Sequence, residues 1–185
     1  MGPVGTGAQL ANALRSWSVL RFEVTEDPTV GSDGSRWSHT PALGIHHAST
    51  NAIGDAVEYM PGVTGVHSTA SEAWPARQGV CQDIAHITLG ALRSVGIPAR
   101  YVSGYLHPND HAEVGAPTVG ESHAWVEWFA GDWQGFDPTN GIEIGDRHVL
   151  VGRGRDYNDV PPLRGVYAGP HKGDLHVQVL ITREA

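Results

Sequence analysis

Three side chains of this sequence have the types that nucleophilic chemistry on a carbonyl needs. Cys81 is the only cysteine among 185 residues, and His123 and Asp137 follow it along the chain. A thiol nucleophile needs a base that takes its proton and returns it to the leaving group, and the base works best when a third group holds it. A cysteine, a histidine and an aspartate supply these types. Each also has a plain structural reading: a core thiol, a strand histidine and the first residue of a turn.

The pattern around Cys81 predicts that it lies in the first turn of a helix of about four turns. Gly96 and Pro98 form a stop signal, because glycine accepts the left-handed C-terminal position and proline cannot continue a helix. Unpaired N–H groups and the partial positive charge at a helix start favour thiolate over thiol, and they can hold an oxyanion. Apolar residues at helical spacing place the thiol on the packed face of this helix: Ile84, Thr88, Ala91, Leu92 and Val95.

Extended segments follow this helix. Residues 99–106 are rich in β-branched and aromatic side chains and predict a strand, residues 107–120 predict a loop, and residues 123–129 and 132–137 predict a hairpin with its turn at Ala130 and Gly131. If that turn is centred near residue 130, His123 and Asp137 lie directly opposite each other, within reach of a hydrogen bond. A slip of one residue would put them on opposite faces.

The remaining segments complete an α+β pattern, with helices first and strands afterwards. Helices are predicted for residues 8–20, 43–59 and 68–74, the last capped by Ser68 or Thr69 and ended by Pro75. A surface loop is predicted for residues 25–40, a strand for 148–151, an irregular charged loop for 152–165, and an antiparallel strand with one wet face for 175–182. Residues 1–42 receive no role.

Composition excludes several classes of function. The net charge is −8 without a basic cluster, so a nucleic-acid partner or an anionic membrane surface is not expected. One cysteine forms no internal disulfide, and no apolar run is long enough to cross a membrane, which together predict a cytoplasmic protein. Nothing in the sequence indicates a cofactor, and the oligomeric state is not readable from it.

Several spaced motifs resemble the bacterial transglutaminase-like superfamily. The matching segments are GVCQDIAH, GIPARYVSGYL, ESHAWVEWF and GFDPTNG, and the resemblance extends from about residue 68 to residue 179. It implies a papain-like α+β core, with a central helix that begins at the cysteine packed on an antiparallel sheet, and a catalytic domain over residues 43–185. It also implies roles: Cys81 as nucleophile, His123 as general base and then acid, and Asp137 as the orienting carboxylate.

The resemblance also suggests which residues line a substrate cleft. Asp156, Tyr157 and Arg164 belong to a segment that recurs in the bacterial branch, and Tyr105 and Trp125 are added as cleft wall, where a tryptophan would shield the thiolate from water. Papain-like enzymes carry a glutamine several residues before the cysteine to help hold the oxyanion, whereas Pro75 stands here. Gln78 and Trp74 are the nearby candidates, so the second oxyanion donor stays open.

Metal binding and a non-catalytic role are the competing readings. His107 and His111 with Asp110 between them, and the pair His46 and His47, lack further ligands at a zinc spacing, so no metal site is predicted. His86 is expected to be a packing residue. The expected reaction is acyl transfer from a protein or peptide substrate with an amide group, either to a primary amine or to water. The alternative is a binding domain that retains the fold without the chemistry.

Overall fold

The computed structural model of the chain describes residues 50–94, 96–165, 168 and 177–184. The helix expected at 8–20, the loop at 25–40, the start of the helix at 43–59, His46 and His47, and the first two residues of the last strand lie outside this part. Residues 50–56 are helical. The other elements are β1 (Glu58–Tyr59), α1 (Ala70–Ala76), β2 (Gln78–Gly79), α2 (Cys81–Ser94), β3 (Ala99–Leu106), β4 (Pro117–Phe129), β5 (Trp133–Asp137), β6 (Ile142–Glu143), β7 (His148–Gly154) and β8 (Val179–Thr182).

Helix α2 begins at Cys81, as the sequence predicts, and side-chain hydrogen bonds fix its start. The Oδ2 atom of Asp83 accepts the N–H of Val80 at 2.8 Å and the hydroxyl of Thr64 at 2.6 Å. Gly79 permits this contact, because a Cβ there would lie 2.7 Å from the Cβ of Asp83. At the other end Gly96 has φ +83°, so the predicted glycine stop is confirmed.

The sheet is antiparallel and runs in the order β6–β5–β4–β3–β7, with β8 paired to residues 117–120 at the start of β4. Strand β3 has the bounds that the sequence predicts and lies between β4 and β7. A separate parallel pair, β1 with β2, leads directly into α2. The described residues therefore form an α+β fold with an antiparallel sheet. None of their helices is long and apolar enough to span a bilayer.

Helix α2 packs on one face of β3 and β4, and the opposite face of these strands carries buried polar side chains. The side chains between α2 and the sheet are apolar and form one core. They are Ala85, Leu89 and Leu92 of α2, and Tyr101, Ala124, Val126, Trp128 and Phe136 of the sheet. The opposite side of α2 packs against the helical residues 50–56 and α1, through Ile53, Val57, Ala73, Ile84, Ile87 and Ala91. Because side chains alternate along a strand, His123, Trp125 and Glu127 lie on the other face of β4.

Long-range pairing moves several predicted boundaries. β4 begins at Pro117 instead of His123, so part of the predicted loop at 107–120 is strand, because β8 pairs with residues 117–120. β7 extends to Gly154, into the predicted loop at 152–165, because it pairs with β3 as far as Tyr101. The helix predicted to reach Tyr59 ends at residue 56, since the backbone of residues 58–60 bonds to that of Arg77 and Gly79.

Pro75 does not end the short helix. The helix α1 continues through Pro75 to Ala76 and ends at Arg77, which has φ 55°. Thr69 is the capping residue, as predicted, and its N–H donates to the side chain of Glu72 at 2.8 Å. Proline costs a helix one hydrogen bond, and a helix this short ends within two residues of it.

The hairpin register differs from the prediction by two residues. Phe129 pairs with Trp133 and Val126 with Phe136, so the turn is centred at Gly131, whose φ is +90°. Continuing this register places Asp137 beside Trp125 and diagonal to His123. A shift of two residues keeps each side chain on its face, and diagonal neighbours remain within reach of long side chains. The direct opposition of His123 and Asp137 was therefore wrong, but their shared face was right.

Candidate active site

Cys81 lies half-buried at the first position of α2, where the helix meets the sheet. Its side chain packs against the core beneath the helix, together with Tyr157. The N–H groups of Asp83 and Ile84 bond to the carbonyl of Val80, whereas no hydrogen bond within the described part of the chain uses the N–H of Cys81. An unpaired N–H next to a thiol is the donor that an oxyanion hole requires.

His123 lies between Cys81 and Asp137, and its side chain is only 8% exposed. Its Nε2 atom is 2.7 Å from Oδ2 of Asp137, which leaves Nδ1 as the ring nitrogen for the thiol. Burial alone would lower the pKa of His123. Hydrogen bonds with Asp137 and with Cys81 outweigh burial and raise this pKa to about 9. An imidazolium is therefore the stable form of His123 at neutral pH, held between a carboxylate and a sulfur.

Asp137 is fully buried at the end of β5, and both of its carboxylate oxygens are occupied. Oδ1 accepts the backbone N–H groups of Thr139 and Asn140 at 3.0 and 3.2 Å. Oδ2 accepts hydrogen bonds from His123 and from the side-chain amide of Asn140, both at 2.7 Å. Burial alone would raise the pKa of Asp137, but these donors together with His148 hold it well below its usual range.

Two residues that the sequence analysis did not single out contact Asp137. Asn140 belongs to the turn that follows β5, and a side chain three residues after an aspartate in such a turn is a signal that turn chemistry offers. His148 is the first residue of β7, and its Nε2 lies 3.3 Å from Oδ2 of Asp137. No local pattern indicates His148, because β7 pairs with β3 and not with its neighbour along the chain.

Asp137 and the two histidines beside it also have the types of metal ligands. Atoms of His123, Asp137 and His148 lie within 4.8 Å of one another, a set that the sequence analysis did not consider. Two imidazoles and a carboxylate would suit zinc. The oxygen that faces both rings already accepts three hydrogen bonds, so the arrangement as described is one of proton donors around a carboxylate. The histidines weighed as ligands have other contacts: His107 lies 3.1 Å from the N–H of Asn109, and Asp110 pairs with Arg147.

Predicted cleft residues lie at several distinct places. Tyr105 and Tyr157 line a cavity of about 540 Å³ together with Gly120 and Ser122 of β4, and exposed Arg164 is not part of its wall. Asp156 lies along a different cavity, of about 320 Å³, with His86. His86 packs on the Tyr101 ring at 5.0 Å and accepts the N–H of Tyr157 at 3.2 Å.

Three further predicted residues have contacts of their own. Trp125 is 1% exposed and lies 6.3 Å from the His123 ring, between centroids. Gln78 donates to Glu58 at 3.1 Å, and Trp74 lies beneath the guanidinium of Arg77 at 3.4 Å. The second oxyanion donor therefore stays a prediction without an assigned residue.

Known proteins with a similar sequence are themselves mostly uncharacterised. A family model described as a protein of unknown function (DUF3145) matches residues 1–73, a range that crosses the boundary predicted after residue 42. An uncharacterised protein of Mycobacterium leprae is 54% identical over 183 residues, covering 93% of this chain and 65% of the relative. A protein-glutamine gamma-glutamyltransferase of Pseudomonas aeruginosa is 32% identical over 122 residues, covering 59% of this chain and 18% of that protein. The chain thus spans less than two thirds of either relative.

A solved structure is similar in fold. A proposed cysteine protease from Cytophaga hutchinsonii matches with a TM-score of 0.58 and 25% identity, covering 86% of this chain and 46% of that one. The likeness supports the α+β fold described above for this chain.

Proposed function

We propose that this chain is a thiol-dependent enzyme of the transglutaminase-like superfamily that transfers an acyl group from a carboxamide or peptide bond. The observation that carries the proposal is the position of His123: its Nε2 lies 2.7 Å from Oδ2 of buried Asp137, and the carboxylate and the neighbouring thiol of Cys81 both raise its pKa. A domain that only binds has no need of this chain of contacts. The sequence similarity to a glutamyltransferase and the fold of a proposed cysteine protease support the same chemistry.

The reaction has two halves that share one intermediate. The sulfur of Cys81 attacks the carbonyl carbon, the N–H of Cys81 stabilises the oxyanion, and the C–N bond breaks as the imidazolium of His123 gives its proton to the departing ammonia or amine. The thioester that remains is attacked by an incoming nucleophile, whose proton passes to His123. A primary amine yields a new amide, and water yields a carboxylic acid.

The fold of the Cytophaga protein favours a second candidate within the same chemistry, a peptidase or amidase with water as acceptor. The two candidates separate by product. Incubation with a glutamine-containing peptide, with and without a primary amine, should release ammonia, and the mass of the peptide should rise by the amine less ammonia for a transferase. A free acid at high amine concentration would assign hydrolysis instead.

A thiol-reactivity assay tests for any catalysis without knowing the substrate. Iodoacetamide should label Cys81 at pH 6 faster than it labels a free cysteine, because in the proposed site the imidazole of His123 activates the sulfur for nucleophilic attack. His123→Ala should slow this labelling, whereas His111→Ala, at an exposed histidine, should not. Equal rates for the wild type, the His123 variant and free cysteine would refute the enzyme and leave the binding domain.

A further inference from the structure

His148 is a buried histidine whose two ring nitrogens have different partners. Its side chain is 1% exposed. Nδ1 accepts the N–H of Gly145 at 3.3 Å, so the proton of the neutral ring lies on Nε2. Nε2 faces Oδ2 of Asp137 at 3.3 Å. The tautomer that Gly145 selects is therefore the one that donates to Asp137.

Packing fixes the orientation of this ring. The ring of His148 meets the indole of Trp125 edge to face, with centroids 5.2 Å apart and planes at 73°. Trp125 is fully buried, and the absence of a side chain at Gly104 makes room for its ring. The centroid of the His123 ring lies 6.2 Å from the centroid of the His148 ring. His148 thus approaches Asp137 from β7 while His123 approaches it from β4.

We propose that His148 is a positioning residue for acyl transfer, which acts by holding Oδ2 of Asp137 in the orientation that keeps His123 directed at Cys81. The inference rests on the proposed function. Backbone N–H groups fix Oδ1, and Oδ2, the oxygen that orients His123, also accepts the side-chain amide of Asn140 from the turn after β5. His148 adds a third donor to Oδ2, from a buried ring on β7, and it limits the movement of the carboxylate before the substrate binds, which is how outer contacts keep a reacting group in place.

His107 provides a matched control at the end of β3. It is 4% exposed, and its Nδ1 lies 3.1 Å from the backbone N–H of Asn109 and 3.1 Å from the carbonyl oxygen of the same residue. Its Nε2 has no hydrogen-bond partner in the described part of the chain. The two histidines therefore differ in one respect that matters here, the contact from Nε2 to Asp137.

Three variants separate this contact from packing. His148→Gln keeps a donor near the position of Nε2, His148→Asn keeps an acceptor for Gly145 but is too short to reach Asp137, and His107→Asn loses the same volume elsewhere. Kinetics with the glutamine-containing peptide give kcat and KM, alkylation of Cys81 at pH 6 reports the thiol without substrate, and thermal melting reports folding.

We expect His148→Asn to lower kcat by about tenfold with KM within about twofold, in line with the loss of an outer hydrogen-bond partner of a functional histidine. His148→Gln should recover most of the rate, and His107→Asn should behave as wild type in both kinetic assays. Equal losses in His148→Asn and His107→Asn, or no recovery in His148→Gln, would reduce His148 to a packing residue.

The same assays distinguish failure of the inference from failure of the proposed function. If wild-type Cys81 is no more reactive than free cysteine and His123→Ala changes nothing, the function itself fails, and the role of His148 with it. If the wild type and His123→Ala behave as proposed, only the His148 variants decide. Loss of wild-type activity in EDTA, restored by zinc, would show that His123, Asp137 and His148 hold a metal, and it would overturn the positioning role.

Discussion

Two buried carboxylates on one face of the sheet have opposite kinds of partner. Asp137 accepts hydrogen bonds from His123, His148 and Asn140. Glu127 of β4 is 8% exposed and pairs with two arginines: Nη2 of Arg100 at 2.5 Å and Nε of Arg153 at 2.9 Å. Arg100 lies in turn over the ring of Trp133 at 3.8 Å.

The difference between the two carboxylates lies in whether a proton can move. A guanidinium stays charged at any physiological pH, so the group around Glu127 is a fixed ion cluster. An imidazole can lose and regain its proton, in His123 with a pKa of about 9, so the group around Asp137 can take part in the proton transfer that the proposed function requires. Burial of a carboxylate therefore does not identify a functional site, whereas the chemistry of its partners does.

The largest expected effect on activity comes from removing the charge of Asp137, and the same change at Glu127 is its control. Asp137→Asn should lower kcat/KM by about 10²- to 10⁴-fold, because the amide cannot stabilise the imidazolium of His123 or hold its tautomer. Glu127→Gln, the same change in charge on the same face, should leave kcat/KM within about threefold. Comparable losses in the two variants would mean that the face acts as one electrostatic unit.

The second prediction concerns pH. The pKa of His123 is raised to about 9 in the folded state, above its ordinary value of about 6.5, so its protonated form stabilises the fold fully below pH 6.5. That contribution is lost as pH rises through 9. Because the proposed reaction also needs the protonated imidazole of His123, kcat/KM should fall as pH rises through about 9. In Asp137→Asn this fall should move to lower pH, since the charge that raises this pKa is gone, whereas in Glu127→Gln it should stay in place.

Gly104→Ala tests how tightly the chain packs around Trp125, on the sheet face that carries both carboxylates. A Cβ at Gly104 would lie 2.5 Å from the ring of Trp125, which stands between His123 and Glu127 on β4, and 2.3 Å from the carbonyl of Val149. Overpacking of this kind costs about 1–3 kcal/mol of unfolding free energy, which denaturant titration measures. Gly65→Ala, where nothing lies within 4 Å, is the control and should change stability by less than about 0.5 kcal/mol.

The smallest effects should come from ion pairs. Glu127→Gln should cost about 1–2 kcal/mol, since it leaves two arginines without a charged partner, but both are partly exposed to water. Arg155→Ala removes an ion pair with Asp159 in which the arginine is 85% exposed, and it should not shift the melting temperature measurably. If Arg155→Ala proved as destabilising as Glu127→Gln, burial would not be the reason why the ion pairs of Glu127 stabilise the fold.

Local patterns predicted the elements that depend on neighbouring residues. The start of α2, its glycine stop and the bounds of β3 follow from helical spacing and β-branched content, and all three are confirmed. The exact pairing of β4 with β5 was not predictable, because it depends on whether the turn holds two residues or three. The alternation of strand faces nevertheless put His123 and Asp137 on the same side.

Contacts between distant segments are the part that the sequence could not supply. Strand β8 extends β4, and β7 brings His148 to Asp137 from across β3, and neither pairing has a local signature. The carboxylate could be predicted from the motif, but its set of donors could not. This is why the sequence motifs pointed to His123 and Asp137 but not to His148.

The helical residues 50–56 take part in the geometry of the site through one close approach. A Cβ at Gly54 would lie 2.2 Å from the carbonyl oxygen of Pro138, the residue that directly follows Asp137. The helical residues 50–56 therefore pack directly against the backbone that follows β5 and limit its movement. A bulkier residue at position 54 would push these segments apart, so a substitution far along the sequence from His123 would disturb the contact between His123 and Asp137 on which the proposed function rests.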